Sequence, residues 1–181
     1  MCDFGSVVFL SLVWRVGKRE RKDKNVFKIV RTEALTDAIY LMDVEAPRVA
    51  KNCLPGQFVI VRGSEDGERI PLTICDYSRE AGTITIVFQV VGAATEMMKN
   101  LKAGDSFTDF VGPLGRPSEL VEEDLETLKN KKILFVAGGV GTAPVYPQVK
   151  WLHEHGVAAD VIIGGRSKEL IILEEQMKAV A

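Results

Sequence analysis

One stretch of this 181-residue chain decides the fold of its second half: Lys132-Ile133-Leu134-Phe135-Val136-Ala137-Gly138-Gly139-Val140-Gly141-Thr142-Ala143-Pro144. Residues 132–137 are an apolar run, which predicts a parallel strand buried on both faces. Glycines follow this strand directly, and the pattern then predicts a helix from near Ala143 to Gly156. Glycine at 156 suits the left-handed conformation that commonly ends a helix. A second strand, 160–164, and a second helix, 168–180, complete an alternating α/β pattern.

The glycine-rich loop between this strand and helix suits a phosphate group. Glycines let the backbone approach a pyrophosphate, and free N–H groups at the helix start supply the positive end of its dipole. The motif departs from the standard dinucleotide fingerprint, because Ala143 and Pro144 replace its third glycine and no acid closes the second strand. Gly165 and Arg166 follow that strand instead. Arg166 could bind the 2′-phosphate of a phosphorylated nicotinamide cofactor or be a solvated loop residue, and a tight turn without a ligand is the alternative for the loop.

The first half of the chain predicts an antiparallel barrel or sandwich. Short apolar runs with period two begin near Val26, separated by turn signals rich in Gly, Pro and Asp. The predicted strands include residues 27–29, 39–43, 58–61, 83–88 and 106–111. A single helix is predicted at Thr95–Leu101. The Gly- and Pro-rich segment 112–117 indicates a domain boundary, and the acidic segment 118–130 has one apolar face and predicts a linker helix.

Four segments follow from these patterns: an N-terminal extension at 1–24, a barrel at 25–115, a linker helix at 116–130 and a partial α/β nucleotide-binding domain at 131–181. The extension contains an apolar run from Val7 to Val16, but a bilayer crossing takes roughly 20 apolar residues. Basic residues follow that run rather than precede it, which is the wrong charge order for a signal peptide. The extension is therefore expected to lie outside the fold, and no membrane association is predicted.

Composition indicates an ordinary soluble globular protein, with 46% hydrophobic and 27% charged residues. The formal net charge of -2 argues against a nucleic-acid partner, because sequence-independent phosphate binding requires a basic excess. The three cysteines, Cys2, Cys53 and Cys75, are widely spaced and favour neither a disulfide framework nor a zinc site. No metal site is predicted. A reducing compartment, the cytoplasm, fits best.

Two strings in the predicted barrel carry chemistry. In Arg69-Ile70-Pro71-Leu72-Thr73-Ile74, a cation, a proline and a hydroxyl lead directly into a strand. In residues 89–98, a strand ends at Val91 and Gly92, and a short helix opens with Thr95, which suits a second small phosphate site. Two anion-binding places in one barrel predict one long ligand.

Other conspicuous residues have structural explanations. Met97 and Met98 are expected to pack a helix, and Tyr40 and Tyr77 to lie in the core or at its rim. Cys53 and Cys75 are expected to be small buried residues. His153 and His155 fall near the end of the predicted helix, where the helix dipole favours a histidine. No catalytic Ser/His/Asp or Cys/His set has support.

The motifs Arg-x-Pro-Leu-Thr, Val-Val-Gly-x-x-Thr, Gly-Pro-Leu-Gly and Gly-Gly-Val-Gly-Thr-Ala-Pro occur in this order between Val26 and Ala181. Together they resemble the ferredoxin reductase-like flavoproteins. More narrowly, the chain resembles the electron-transfer subunit of dihydroorotate dehydrogenase, a flavoprotein of pyrimidine biosynthesis, and its relative, the alpha subunit of NADH-dependent ferredoxin-NADP reductase, also called sulfide dehydrogenase.

This resemblance implies an antiparallel Greek-key flavin-binding β barrel followed by the first half of a parallel-sheet nucleotide-binding domain, with FAD between them. It implies that Arg69 pairs with an FAD phosphate and that Thr73 hydrogen-bonds the flavin as the catalytic residue. The barrel residues implied in FAD binding are Arg69, Ile70, Pro71, Leu72, Thr73, Ile74, Val91, Gly92 and Thr95. The residues implied in NAD or NADP binding are Gly138, Gly139, Val140, Gly141, Thr142, Ala143, Pro144, Gly165 and Arg166.

The implied function is an NAD(P)H-dependent oxidoreductase subunit that takes hydride onto FAD and passes electrons to a catalytic partner subunit or to ferredoxin. Family members continue to a cysteine-rich tail that holds a 2Fe-2S cluster, which takes about four thiolates. That tail is absent here, so the chain is expected to be the front part of a longer one and alone unable to relay electrons. A stand-alone flavin reductase and a non-catalytic docking module without flavin are the alternatives.

Overall fold

A computed structural model describes residues 27–181. The predicted N-terminal extension, residues 1–24, lies outside the described residues. Over the described range an antiparallel barrel precedes a smaller α/β unit, in the order that the sequence predicts.

Seven antiparallel strands form the larger sheet. They are β1 (Phe27–Ala34), β2 (Ile39–Glu45), β3 (Phe58–Arg62), β4 (Ile70–Ser78), β5 (Thr83–Gln89), β6 (Ser106–Phe107) and β7 (Asp109–Leu114). Their spatial order is β6-β1-β2-β5-β4-β3-β7. The two edge strands, β6 and β7, are neighbouring segments of chain separated by Thr108, so the sheet curls round into a nearly closed barrel. The predicted antiparallel barrel is confirmed.

The barrel is filled by side chains from alternating strand positions, as the period-two patterns predict. Ile84, Ile86 and Phe88 of β5 all lie in the central cluster. Tyr40 of β2 stacks on Phe88 with ring centroids 6.0 Å apart, and Tyr77 of β4 packs against the same cluster. Both tyrosines are therefore core or rim aromatics, as expected.

Two short helices cover parts of the barrel. The first, α1 (Pro47–Asn52), was not predicted; Pro47 at its start is the sequence signal for it, because a proline loses little at a first helical position. The second, α2 (Ala93–Lys99), begins two residues before the predicted Thr95. Met98 is buried in the barrel core and Met97 packs against it, which confirms the expected packing role of both.

The segment after the barrel corrects the sequence prediction of one helix over 118–130. Two short helices lie there, α3 (Glu119–Glu122) and α4 (Leu125–Lys129). The break falls at Glu123 and Asp124, whose backbones are extended. The Asp124 carboxylate accepts a hydrogen bond from the Thr127 N–H at 3.0 Å, so this residue caps the second helix instead of continuing the first.

The smaller unit contains β8 (Leu134–Gly138) and β9 (Asp160–Gly164), which pair in parallel with Gly138 opposite Gly164. A 3-10 turn at Gly139–Gly141 leads from β8 into α5 (Thr142–Glu154), and Gly156 takes the predicted left-handed conformation after it. The strand, glycine loop and helix thus follow the predicted order.

The helix predicted at 168–180 is also corrected. A 3-10 turn at Lys168–Leu170 comes first, and α6 (Glu174–Lys178) follows. Leu173 separates them with a left-handed backbone at φ 57°, which no continuous right-handed helix can contain.

The prediction that β8 is buried on both faces is wrong for this chain. One face of the two-stranded sheet is exposed: Val136 is 70% exposed and Ile162 of β9 is 55% exposed. The opposite face carries Phe135 and Ala137, which are largely covered. A two-stranded parallel sheet with a helix on one side leaves its other face to solvent.

The two units share an apolar interface. Ile39, Leu41, Cys75 and Val87 on the outside of the barrel form one cluster with residues of the smaller unit: Ala143, Ile172 and Leu173, with Val140 and Tyr146 at its edge. Helix α5 lies against β4 across this interface. The longest helix over residues 27–181 has thirteen residues, and none there has both the length and the apolarity that crossing a membrane takes.

Candidate functional site

The motif Arg69–Ile74 divides its residues between two faces of the barrel wall. Ile74 is buried in the barrel core, and Ile70 and Leu72 pack against it. Pro71 is exposed and Thr73 is half-buried on the outer face. Because strand side chains alternate, only Arg69, Pro71 and Thr73 can offer side chains to a ligand outside the barrel. The other three can contribute only backbone groups there.

Arg69 belongs to a small charged cluster at the start of β4. Its Nη2 lies 2.7 Å from Oδ2 of Asp109, and the Nε of Arg62 lies at the same distance from that oxygen. Arg62 is mostly buried, whereas the Arg69 side chain is 59% exposed. One carboxylate thus faces two guanidinium groups, which leaves one positive charge at an accessible position suited to a phosphate.

Thr95 shapes the turn that contains Gly92. Its hydroxyl accepts hydrogen bonds from the N–H groups of Val91 at 3.0 Å and Gly92 at 3.1 Å, and it donates to the Gly92 carbonyl at 2.9 Å. Since Thr95 is buried and its hydroxyl is used within the turn, it supports the loop rather than presenting a free group. Val91 and Gly92 form the exposed side of the turn.

The parallel pairing of β8 and β9 brings the two halves of the predicted nucleotide motif together. The strands end side by side at Gly138 and Gly164. The glycine loop and the Gly165–Arg166 segment therefore leave the same edge of the sheet, the edge at which open α/β sheets bind ligands. Arg166 is exposed there.

Two glycines of the predicted site are not required by the fold itself. At Gly92 and Gly141, an added Cβ would meet nothing within 4 Å, and neither backbone has a positive φ. Gly139 differs, because its φ of 53° favours glycine. Thr142 adds a buried hydroxyl whose Oγ1 has no hydrogen-bond partner among the described residues. Open space beside two bare backbones and an unpaired buried hydroxyl fit a dinucleotide with phosphate groups.

The glycine loop lies directly on the barrel. It contacts β5, and Val140 packs at the cluster that contains Val87. Five residues after Val87 the chain reaches Gly92. Helix α5 then runs across β4, the strand that carries Thr73. The predicted barrel and nucleotide motifs thus come from elements in mutual contact.

Asp76 and Lys150 form an ion pair between the two units that the sequence prediction missed. The Lys150 Nζ donates to Asp76 Oδ1 at 2.7 Å. Although burial alone would lower the pKa of Lys150, the hydrogen bond and the charge of Asp76 raise it above its ordinary value. No local pattern indicates this pair, because its members are separated by 74 positions.

A cavity of about 220 Å³ lies beside this ion pair at the same interface. It is lined by Asp43, Cys75, Asp76 and Thr85 from the barrel and by Tyr146 and Gln176 from the smaller unit. The Thr85 hydroxyl donates to Asp43 Oδ1 at 2.6 Å, so this carboxylate has a hydrogen-bond partner on the neighbouring strand. Its β4 and β5 residues come from the second half of β4 and the first half of β5, whereas Thr73 lies in the first half of β4 and Gly92 follows the end of β5.

Residues 27–181 contain two cysteines, Cys53 and Cys75. Cys53 and Cys75 are free and buried, as expected. Burial raises the pKa of Cys53 to about 11 and that of Cys75 to about 12, so both are protonated at neutral pH. Within residues 27–181 no group of three or more His, Cys, Asp or Glu is arranged to hold a metal ion.

Both histidines lie at the C-terminal end of α5, where the sequence places them. His155 follows the last residue of α5, stacks on Trp151 with ring centroids 4.0 Å apart and has its Nδ1 2.6 Å from the Trp151 carbonyl. His153 lies in the last turn of the helix. Both positions agree with the predicted interaction with the helix end.

A nearly closed antiparallel barrel followed by a strand, a glycine loop and a helix defines the ferredoxin reductase-like class of fold. A solved structure of an NADH-dependent reduced ferredoxin-NADP oxidoreductase, described in work on flavin-based electron bifurcation, superposes with a TM-score of 0.76 at 37% identity. The match covers 86% of this chain and 54% of that one.

Sequence relatives point to the same group. A dihydroorotate dehydrogenase B (NAD(+)) electron transfer subunit homolog from Thermotoga maritima is 38% identical over 154 residues, covering 85% of this chain and 52% of the relative. An uncharacterized Clostridium beijerinckii protein from the adh 3′ region is 59% identical over 156 residues, covering 86% and 53%. The chain thus spans about half the length of the curated relatives it matches, and no protein-family model matches it.

Proposed function

We propose that this chain is the flavin-binding and nicotinamide-binding part of an oxidoreductase electron-transfer subunit. It would hold FAD against the outer face of β4 and NAD or NADP at the glycine loop. When bound, FAD accepts a hydride and releases single electrons, a chemistry that belongs to the cofactor. The acceptor would be a catalytic partner subunit or ferredoxin, as the names of the relatives suggest.

The chain's own residues would bind and orient the two cofactors and exclude water from the interface. The accessible charge of Arg69 would bind an FAD phosphate, and Gly92 would let the backbone approach the same ligand. Thr73 would hydrogen-bond the flavin ring from the outer face of β4. Gly139 and Gly141 would admit the nicotinamide dinucleotide, with Arg166 beside it. The cluster around Cys75 and Ala143 would keep water out of the interface behind them.

The observation that carries the proposal is the open space at Gly92 and Gly141. Neither the backbone conformation nor any neighbour requires glycine at these two positions. Close approach of a ligand to the backbone is one of the uses of glycine, and the free space at these two positions leaves room for it. The buried Oγ1 of Thr142, next to Gly141, has no hydrogen-bond partner within residues 27–181 and supports the same interpretation.

Two matched variants test the proposal in the complete protein. Gly92→Val adds a side chain in the FAD groove and is expected to weaken FAD binding by about tenfold or more, because a ligand cannot share occupied space. Gly141→Val adds the same side chain in the nicotinamide loop and should leave FAD binding unchanged while weakening NAD(P)H binding. The measurement is a titration with FAD followed by visible absorbance.

Two results would contradict parts of the proposed function. A wild-type protein that is colourless as purified, and that retains no flavin band after incubation with FAD and removal of the excess, would contradict the proposal and support the docking module. Equal FAD affinity in wild type and Gly92→Val would remove Gly92 from the binding site. The unfolding temperatures of both variants serve as the control for folding, and we expect them to match that of the wild type.

A further inference from the structure

We propose that the Asp76–Lys150 ion pair is a positioning device that aligns the glycine loop with the flavin face of β4. This inference rests on the proposed function and adds to it two residues that set the hydride-transfer geometry from a distance. Asp76 belongs to the strand that carries Thr73, and Lys150 to the helix that follows the glycine loop.

The pair has a fixed geometry. Lys150 Nζ donates to Asp76 Oδ1 at 2.7 Å, and the same oxygen accepts the N–H of Tyr77 at 2.8 Å. Both side chains are half-buried, with the carboxylate held by its own strand. Pro147, Trp151 and Glu154 of α5 line a small cavity beside the contact, together with Asp76, Tyr77 and Lys150. The ion pair therefore joins this turn of α5 to β4.

The pair lies at comparable distances from both halves of the proposed site. Asp76 lies three positions after Thr73 in β4, which is about 10 Å at the usual rise of a strand. Lys150 lies eight positions after Thr142 in α5, which is about 12 Å along the helix axis. A shift of α5 by one side-chain width at Lys150 would accordingly shift the glycine loop relative to Thr73.

The rest of this interface constrains the helix less specifically. The cluster of Cys75, Ala143, Ile172 and Leu173 is apolar, and apolar contacts are non-directional. A second polar contact, between the Ser118 hydroxyl and Gln148 Oε1 at 2.8 Å, joins α5 to the segment before α3 and not to the barrel. Among the described residues, Asp76–Lys150 is the ion pair that connects α5 with β4.

A partly exposed ion pair contributes little to stability, so its loss should separate from unfolding. Misplacement of reacting groups has a much larger effect on the rate, since a displacement of about 1 Å can lower the rate by up to about 100-fold. The inference therefore predicts a loss in rate without a matching loss in unfolding temperature or in FAD affinity.

The test uses the complete protein purified with FAD, and measures the limiting rate of flavin reduction by NADH or NADPH under anaerobic conditions. Asp76→Asn and Lys150→Met should each lower that rate by about tenfold, the order expected for a modest misalignment. FAD affinity and KM for the nicotinamide cofactor should change by less than about twofold. Lys150→Arg keeps the ion pair and should keep most of the rate.

The matched control is Lys178→Met, which removes an exposed lysine paired with Glu174 and Glu175 on α6 and should leave the rate unchanged. Unchanged rates in Asp76→Asn and Lys150→Met, with an active wild type, would overturn the positioning role alone. So would a loss of rate that appears only together with lost FAD affinity. A wild type that FAD does not bind, or that neither cofactor reduces, would overturn the proposed function and this inference with it.

Discussion

The barrel and the smaller α/β unit bury their apolar residues to different extents. The barrel closes a seven-stranded sheet on itself and encloses one large cluster of side chains, including Ile86 with no exposed surface. The α/β unit has a two-stranded sheet with Val136 and Ile162 exposed on one face. Its covered face depends on α5, and α5 packs on the barrel. The barrel thus contributes one of the two apolar surfaces on which the second unit packs, and the other is the cluster around Leu128, Leu152 and Val157.

The largest effect is expected from a pair of matched isoleucine substitutions, one in the barrel and one in the two-stranded sheet. Ile86→Ala removes buried atoms from the closed barrel and should lower the free energy of unfolding by about 2–5 kcal/mol. Ile162→Ala removes exposed atoms from the open sheet and should change it by about 0.5 kcal/mol or less. Denaturant unfolding measures both, and a large cost at Ile162 would mean that its face is covered in the protein.

Alkaline pH should weaken the fold through the two buried thiols. Their pKa values are raised by burial, to about 11 for Cys53 and about 12 for Cys75, so both stay protonated in the folded state above the pH at which the unfolded thiols ionise. Stability is therefore present at neutral pH and falls as the pH rises from about 9, by about 1.4 kcal/mol per unit for each thiol.

Cys75→Ala should flatten this loss more than Cys53→Ala, because the pKa of Cys75 is the higher of the two. Urea unfolding at a series of pH values from neutral to strongly alkaline checks it. Identical pH profiles for the wild type and both variants would contradict the assignment of the loss to these thiols.

Thiol labelling at neutral pH compares the opening of the two regions. Cys53 lies in the barrel core, whereas Cys75 lies under α5 at the interface of the units. Because local openings are easiest where an element is held by few contacts, Cys75 should be labelled faster than Cys53 under native conditions. Mass spectrometry of peptides after timed alkylation measures both rates, and equal rates would show that the units open together.

A smaller effect than that of Ile86→Ala is expected in the segment that joins the two regions. Asp124→Ala removes the cap of α4 and should cost about 1 kcal/mol, the usual value for such a cap. Asp124→Asn retains a capping oxygen and should cost less. Thermal unfolding compares them, and equal costs would mean that the carboxylate acts here through its charge.

Sequence reasoning was most successful where a pattern is local. The alternation in residues 83–88 predicted a strand, which the structure has at Thr83–Gln89. The apolar run that ends in the glycines from Gly138 predicted a strand, a turn and a helix, and the structure has all three. It was less successful where one residue interrupts a periodic pattern. Asp124 and Leu173 each divide an apparently continuous helical segment, one by capping and the other by a left-handed backbone.

The candidate site shows the same division. The alternation of β4 implies that Pro71 and Thr73 share its outer face, and the glycine loop was evident from composition. The pairing of Arg69 with Asp109 and of Asp76 with Lys150 depends on strand register and on how α5 crosses the barrel. Such contacts follow from tertiary packing, and no spacing in the sequence records them.

The most direct test of the account is the visible spectrum of the complete protein with FAD, recorded before and after anaerobic addition of NADH or NADPH. We expect a bound flavin band that one of the two cofactors bleaches, and a band that persists in Gly141→Val at the same cofactor concentration. A protein that retains no flavin, or a flavin band that neither cofactor changes, would contradict the claim that the barrel and the glycine loop form one redox site.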